Sequence, residues 1–152
     1  MTKLSHTQFL KTLPELVIAR LPEPLQGIQV HQPYRWLTQF NYGERRLHYE
    51  VSSAKHRSGW ELGFHCEARD RNLNRYLLMG FRRHLFEIKD VLGPTVEAEM
   101  WDKGWTKIYE VYPTGELNMA YQEGLATRMA EFIICLHPIY VDLRNDVAKN
   151  YR

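Results

Sequence analysis

Five residues able to bind metal or move protons recur at short, regular spacing in the middle of the chain. They are His48-x-Glu50 and Glu61-x-x-x-His65-x-Glu67. Imidazole nitrogens and carboxylate oxygens ligate divalent cations and act in proton transfer. The x spacing places His65 and Glu67 on one side of a strand, about 6–7 Å apart along it. His48, Glu50, Glu61, His65 and Glu67 therefore form a candidate polar sheet face, with Glu97 and Glu99 on a neighbouring strand. The same pattern is what a half-exposed antiparallel strand carries when its Glu, His and Arg side chains pair across strands in water. That solvated face is the reading adopted from sequence, with no metal and no cofactor expected.

Other catalytic constellations are incomplete. A metal-dependent nuclease centre needs a carboxylate two residues before a lysine on a strand. The only such triplet, Glu87-Ile88-Lys89, falls in a helical pattern. Glu97-Ala98-Glu99 lies on a strand without the lysine in register, although Lys103 and Lys107 are near. There is no Gly-x-Ser-x-Gly elbow, phosphate loop or dinucleotide fingerprint. Cys66 and Cys135 sit in apolar runs and read as buried, inert thiols. A second candidate is the basic helix face of Arg71, Arg75, Arg82 and Lys89, able to meet phosphates or simply solvated with i,i+4 pairs. Trp101, Trp105, Tyr109 and Tyr112 form an aromatic group whose role, whether core, stacking platform or interface anchor, stays open.

The elements that would position these residues follow from hydrophobic periodicity. Residues 7–20 carry a helical stripe interrupted by Pro14, ended by Leu21-Pro22-Glu23-Pro24. Residues 27–32 and 34–42 read as short extended segments, the first less defined. Residues 46–52 and 60–67 each alternate with period two. They are joined by a polar loop, Lys55-His56-Arg57-Ser58-Gly59, which predicts an antiparallel pair. Trp60, Leu62, Phe64 and Cys66 point one way, and Glu61, Gly63, His65 and Glu67 the other. Asp70 caps a predicted helix with an apolar stripe from Leu73 to Leu92, stopped by Gly93-Pro94. A hairpin turns at Asp102-Lys103-Gly104 between strands at 96–100 and 105–112. A last long helix spans about 116–136 and is apolar over much of its circumference. Pro138 kinks or ends it, and a short further helix follows. The expected fold is α+β: a single antiparallel β-sheet with long helices packed on one face, in the order α-β-β-β-α-β-β-α, as one domain over residues 1–152.

Composition sets outer bounds. The chain has 152 residues, 44% of them hydrophobic and 25% charged, enough for one core without cross-links. The net charge of +2 is too small to argue for nucleic-acid binding by itself. Arg outnumbers Lys, which favours forked pairs with carboxylate or phosphate. No window approaches the 18 or so apolar residues of a membrane span, and residues 1–6 lack a signal-like apolar stretch. The expectation is a cytoplasmic, non-membrane protein.

The predicted element order over residues 5–137 resembles the type III secretion chaperone-like fold. That resemblance implies a homodimer that binds other polypeptides without catalysis. Residues 61–136 also resemble an uncharacterised bacterial domain found beside defence proteins, through Trp60-Glu61-Leu62, Asn74, Glu87-Ile88, Leu92-Gly93, Glu99-x-Trp101 and Trp105-x-x-Ile108. It implies no activity and no site residue. The functional expectation is a non-enzymatic protein-interaction module, homodimeric, with a further protein partner in view. The alternative is a nucleic-acid-associated defence or repair domain with metal-dependent hydrolysis at the Glu/His face, which ranks second.

Overall fold

In the computed structural model, which describes residues 2–53 and 59–150, Ser5 opens helix α1 (His6–Ala19) with a reciprocal cap. Its hydroxyl accepts from the Gln8 N–H at 3.1 Å, and the Gln8 side chain accepts from the Ser5 N–H at 3.1 Å. The helix runs through Pro14 without the expected interruption. Proline removes the N–H that would bond the Leu10 carbonyl. Gln32 supplies the missing donor to Leu10 O at 2.7 Å, and Gln122 bonds the neighbouring Phe9 O at 2.9 Å. The Gln32 side chain thus replaces the one bond that Pro14 removes, and Gln122 adds a bond at the neighbouring carbonyl.

Among the described residues six strands form one open antiparallel sheet in the order β1-β2-β3-β4-β6-β5. They are β1 (Gln29–Tyr34), β2 (Leu37–Asn41), β3 (Leu47–Ser53), β4 (Gly59–Cys66), β5 (Glu97–Met100) and β6 (Thr106–Pro113). The two extended segments before residue 43 are therefore separate strands, β1 and β2, paired as a hairpin. The polar loop read at Lys55–Ser58 lies outside the described residues. Asp70 caps α2 (Arg71–Arg83) through bonds to the Asn72 and Leu73 N–H groups. The predicted single helix breaks at His84, and α3 (Leu85–Leu92) continues to Gly93, whose φ of 98° ends it. Helix α4 (Met119–Asn150) passes through Pro138 unbroken. Ile134 and Pro138 lie on the exposed side, where water can bond the carbonyl that proline leaves free.

The row Trp60, Leu62, Phe64 and Cys66 faces the helices as expected, each nearly fully buried. Phe9 stacks on Trp60 at 5.2 Å, and Phe64 meets Phe81 of α2 at 5.8 Å and Tyr140 of α4 at 5.0 Å. The wide apolar stripe of α4 is absorbed here, with Leu125, Met129, Phe132 and Leu136 at zero exposure. It is the chain's own core that consumes this face. One ionic tie crosses the apolar layer. Glu110 of β6, 5% exposed, accepts from Arg128 Nη2 of α4 at 2.8 Å and from Thr95 Oγ1 at 3.0 Å. Arg128 also reaches the Leu92 carbonyl. Sheet, α3 end and α4 are joined at one carboxylate. Among the described residues no helix is long and apolar enough to cross a membrane.

Removing one member of a buried ion pair strands the other. Glu110→Ala is expected to lower unfolding stability by about 3 kcal/mol, measured by urea denaturation. A loss below about 0.5 kcal/mol, the level of an ordinary surface change, would refute the tie.

Candidate functional site

Strand pairing brings the five predicted polar-face residues together. His48 of β3 stands directly opposite His65 of β4, Glu50 opposite Gly63, and Ser52 opposite Glu61. His65 in turn faces Lys107 of β6. Glu67 follows the end of β4, and its N–H donates to the Arg46 carbonyl at 2.8 Å, which ties it beside the start of β3. Gly63 sits at the centre of this face. A Cβ there would come within 2.2 Å of the Ile108 carbonyl and 2.6 Å of Tyr109 Cα, so the bare backbone lets β6 approach. It also leaves room for neighbouring side chains to lean inward.

The face is not solvated, which corrects the expectation from sequence. His48 is 2% exposed, His65 3% and Glu50 8%; Glu61 and Glu67 are only partly open. Period-two alternation reports the side of the sheet, not what covers that side. Here the cover comes from the polar layer itself and from aromatic rings at its margin. Trp101 meets His65 edge-on at 5.6 Å, and Lys107 lies over Trp101 at 5.2 Å and over Tyr109 at 4.1 Å. Those contacts place the ammonium group against two aromatic faces.

The contacts inside the layer are close. The Nδ1–H of His48 donates to the Arg45 carbonyl at 2.8 Å, which turns Nε2 towards Glu50 Oε1 at 3.1 Å and Glu67 Oε2 at 3.9 Å. The His48 and His65 rings stack at 5.7 Å. His65 Nδ1 bonds Glu67 Oε2 at 3.0 Å. Its Nε2 lies 3.5 Å from Glu50 Oε2 and 3.6 Å from Glu61 Oε1 but makes no hydrogen bond, although it is buried. Lys107 Nζ donates to Glu61 Oε1 at 2.8 Å. One donor atom each from His48, Glu50, His65 and Glu67 falls within 4.8 Å of the others.

Charge explains the titration of these groups. Burial alone would lower the His65 pKa, but the carboxylates of Glu50, Glu61 and Glu67 push it up to about 10. Burial would raise the Glu61 carboxyl, yet His65 and Lys107 pull it down to about 2. Burial likewise opposes ionisation of Glu50, and the charges of His65 and His48 lower its pKa all the same. Among the described residues, Glu50, Glu61 and Glu67 share the face with Lys107. Protonated imidazoles can add positive charge there, and so can a divalent cation between the same atoms.

The remaining sequence candidates are placed elsewhere. Arg71, Arg75 and Arg82 are exposed along α2, as a helix face in water. Arg82 donates through Nε and Nη2 to the Ala98 carbonyl at 3.1 and 3.0 Å, holding β5 to α2. Lys89 pairs with Glu97 at 3.8 Å. Glu99 accepts from the Tyr109 hydroxyl at 2.6 Å and makes the second acidic position of β5 a rim residue. The aromatic group divides, Trp101 meeting His65 and Tyr109 lying against Lys107, while Tyr112 meets Tyr121 of α4 at 5.7 Å. The Cys66 thiol is pushed up to about 12 by burial and is no nucleophile. Lys107 and Trp101 are the members that sequence reasoning left out of the site. The signal for Lys107 was its alternation with Ile108 in β6, unusable without the β4–β6 register. No protein-family model matches this sequence, and neither a curated protein nor a solved structure matches it.

A metal-free protein should show the pH profile these charges dictate. The His65 contribution is complete below the ordinary value of 6.5 and is lost as pH climbs through about 10. The Glu61 contribution is complete above 4.5 and is lost as pH falls through about 2. Thermal midpoints in chelator should therefore plateau between those two ordinary values and fall on both sides. His65→Gln should abolish the excess alkaline loss; an unchanged alkaline limb in that variant would refute the assignment.

Proposed function

We propose that the chain is a divalent-metal-binding protein, with His48, Glu50, His65 and Glu67 as ligands. The observation that carries the reading is the buried Nε2 of His65, which has no hydrogen bond and stands among carboxylates. A buried nitrogen with carboxylates in ion-pair range but none at hydrogen-bond geometry calls for a reason. The orientation of His48 supports the same reading. Ligand histidines commonly donate their second N–H to a backbone carbonyl, as His48 does to Arg45. Two imidazoles with two carboxylates suit zinc, iron(II) or manganese(II) better than a thiolate-seeking ion. A divalent ion would also balance the acidic layer without two imidazolium protons. With a bound water such an ion supports hydrolysis, the enzymatic alternative raised by the sequence.

Chelator-stripped protein should bind one equivalent of Zn²⁺ or Mn²⁺ by isothermal titration calorimetry and gain thermal stability with it. Glu67→Gln and His48→Gln should each weaken binding by at least ~100-fold, beyond the usual loss on removing a supporting residue. Circular dichroism controls for folding. Failure of the folded wild-type protein to bind either ion removes the reading.

A second reading, the homodimeric interaction module, has its own observation. Phe86 is 94% exposed and Val91 67% exposed on the short helix α3. A large apolar side chain standing in water is a typical interface anchor. Light scattering at micromolar concentration should then give twice the chain mass, and Phe86→Asp should give the monomer. A wild-type monomer sets this reading aside.

A further inference from the structure

The surroundings of the histidine–glutamate layer narrow what a bound ion there would hold. A cleft of about 380 Å³ opens onto it, lined by Gln39, Arg45, Arg46, His48 and Glu67. Two of its five lining residues are thus ligands in the reading above. The other three are one amide and two adjacent arginines in the turn before β3.

These arginines are distinctive in what they lack. Arg128 engages Glu110, Arg144 engages Glu44, and Arg82 engages the Ala98 carbonyl. Arg45 contacts His31, and Arg46 reaches only the Glu67 backbone carbonyl at a long 3.5 Å. Among the described residues neither pairs with a carboxylate, and both are exposed. Their position is nonetheless tied to the site. The Arg45 carbonyl orients His48, and the Arg46 carbonyl accepts from the Glu67 N–H. Two guanidinium forks are therefore anchored by their own backbones at the mouth of the ligand set, with donor capacity to spare.

We propose that this cleft binds a phosphate monoester or free phosphate, one oxygen completing the coordination of the ion and the others meeting Arg45 and Arg46. The inference rests on the metal reading. Its chemistry follows from charge and shape. Guanidinium forks match oxyanions bidentately. Two such forks beside a divalent ion suit a dianion with three terminal oxygens better than a carboxylate with two. A six-coordinate ion such as Mn²⁺ holding four protein ligands keeps positions for that oxygen. Gln39 adds an amide on the same wall.

The test uses the full chain loaded with Mn²⁺ and titrated with inorganic phosphate, with phenyl phosphate and with acetate. Calorimetry gives the affinities, and manganese paramagnetic resonance reports entry into the coordination shell. Phosphate and phenyl phosphate should bind only when Mn²⁺ is present and should perturb its spectrum, with acetate much weaker. The double variant Arg45→Gln/Arg46→Gln should lose at least about tenfold in phosphate affinity while holding Mn²⁺ within about twofold of wild type, since neither side chain is a ligand. Mn²⁺ binding without phosphate binding overturns the inference and leaves the metal reading standing. Equal affinity for acetate, or a double variant that keeps its phosphate affinity, does the same. Absence of Mn²⁺ binding overturns both.

Discussion

Neutralising acidic charge out of water is the constraint on which this structure turns. Glu50, Glu61 and Glu67 lie on one sheet face with Lys107, and burial raises the cost of every uncompensated charge. A surface glutamate can leave its compensation to solvent and salt. These three cannot, so the surrounding groups are organised around them. His65 is held between carboxylates with its ring against Trp101, and His48 is fixed by a backbone carbonyl. Lys107 sets its ammonium over two aromatic rings and donates to Glu61.

The rest of the fold makes that arrangement rigid. Strand β4 lies between β3 and β6, so its polar side chains are flanked by both neighbours while its apolar ones enter the helix layer. Gly63 permits the close approach of β6 that brings Lys107 opposite His65. On the far side of the sheet, Trp60, Leu62, Phe64 and Cys66 pack into helices that hold the strands in place. The Glu110–Arg128 tie locks α4 to the same β6 that carries Lys107. A shift of one residue in the β4–β6 register would send His65 and Lys107 to opposite faces.

A cluster held this firmly has a chemistry that differs from that of a solvated charge pattern. In water, His48, Glu50, His65 and Glu67 would be ordinary cross-strand pairs of small net worth. Enclosed, two imidazoles and two carboxylates each bring one donor atom within 4.8 Å of the others, with a cleft and two arginines on the open side. The two functional readings occupy different parts of the molecule. The metal reading belongs to the sheet face, and the interaction reading belongs to the exposed apolar residues of α3. The apolar breadth of α4 supports neither, because it is spent on the chain's own core.

Much of this architecture was legible in the sequence. Alternation identified β3 and β4 and assigned each side chain to its face correctly. Asp70, Gly93 and the Asp102-Lys103-Gly104 turn marked boundaries where the structure has them, because caps and left-handed turns are set by local chemistry. The prolines misled, since Pro14 and Pro138 interrupt nothing. Gln32 and Gln122 lie far along the chain from the carbonyls they satisfy, and the helix exposure that leaves Ile134 to water is a matter of packing. The candidate ligands His48, Glu50, His65 and Glu67 could be named from spacing alone. Whether they stood in water could not, because period two records direction and burial depends on what arrives from elsewhere. Lys107, Trp101 and the paired arginines arrive through strand register and a turn, contacts that join residues tens of positions apart. Local sequence therefore determined which groups share a face, and tertiary pairing alone decided that the histidines and Glu50 of that face are buried and set against one another.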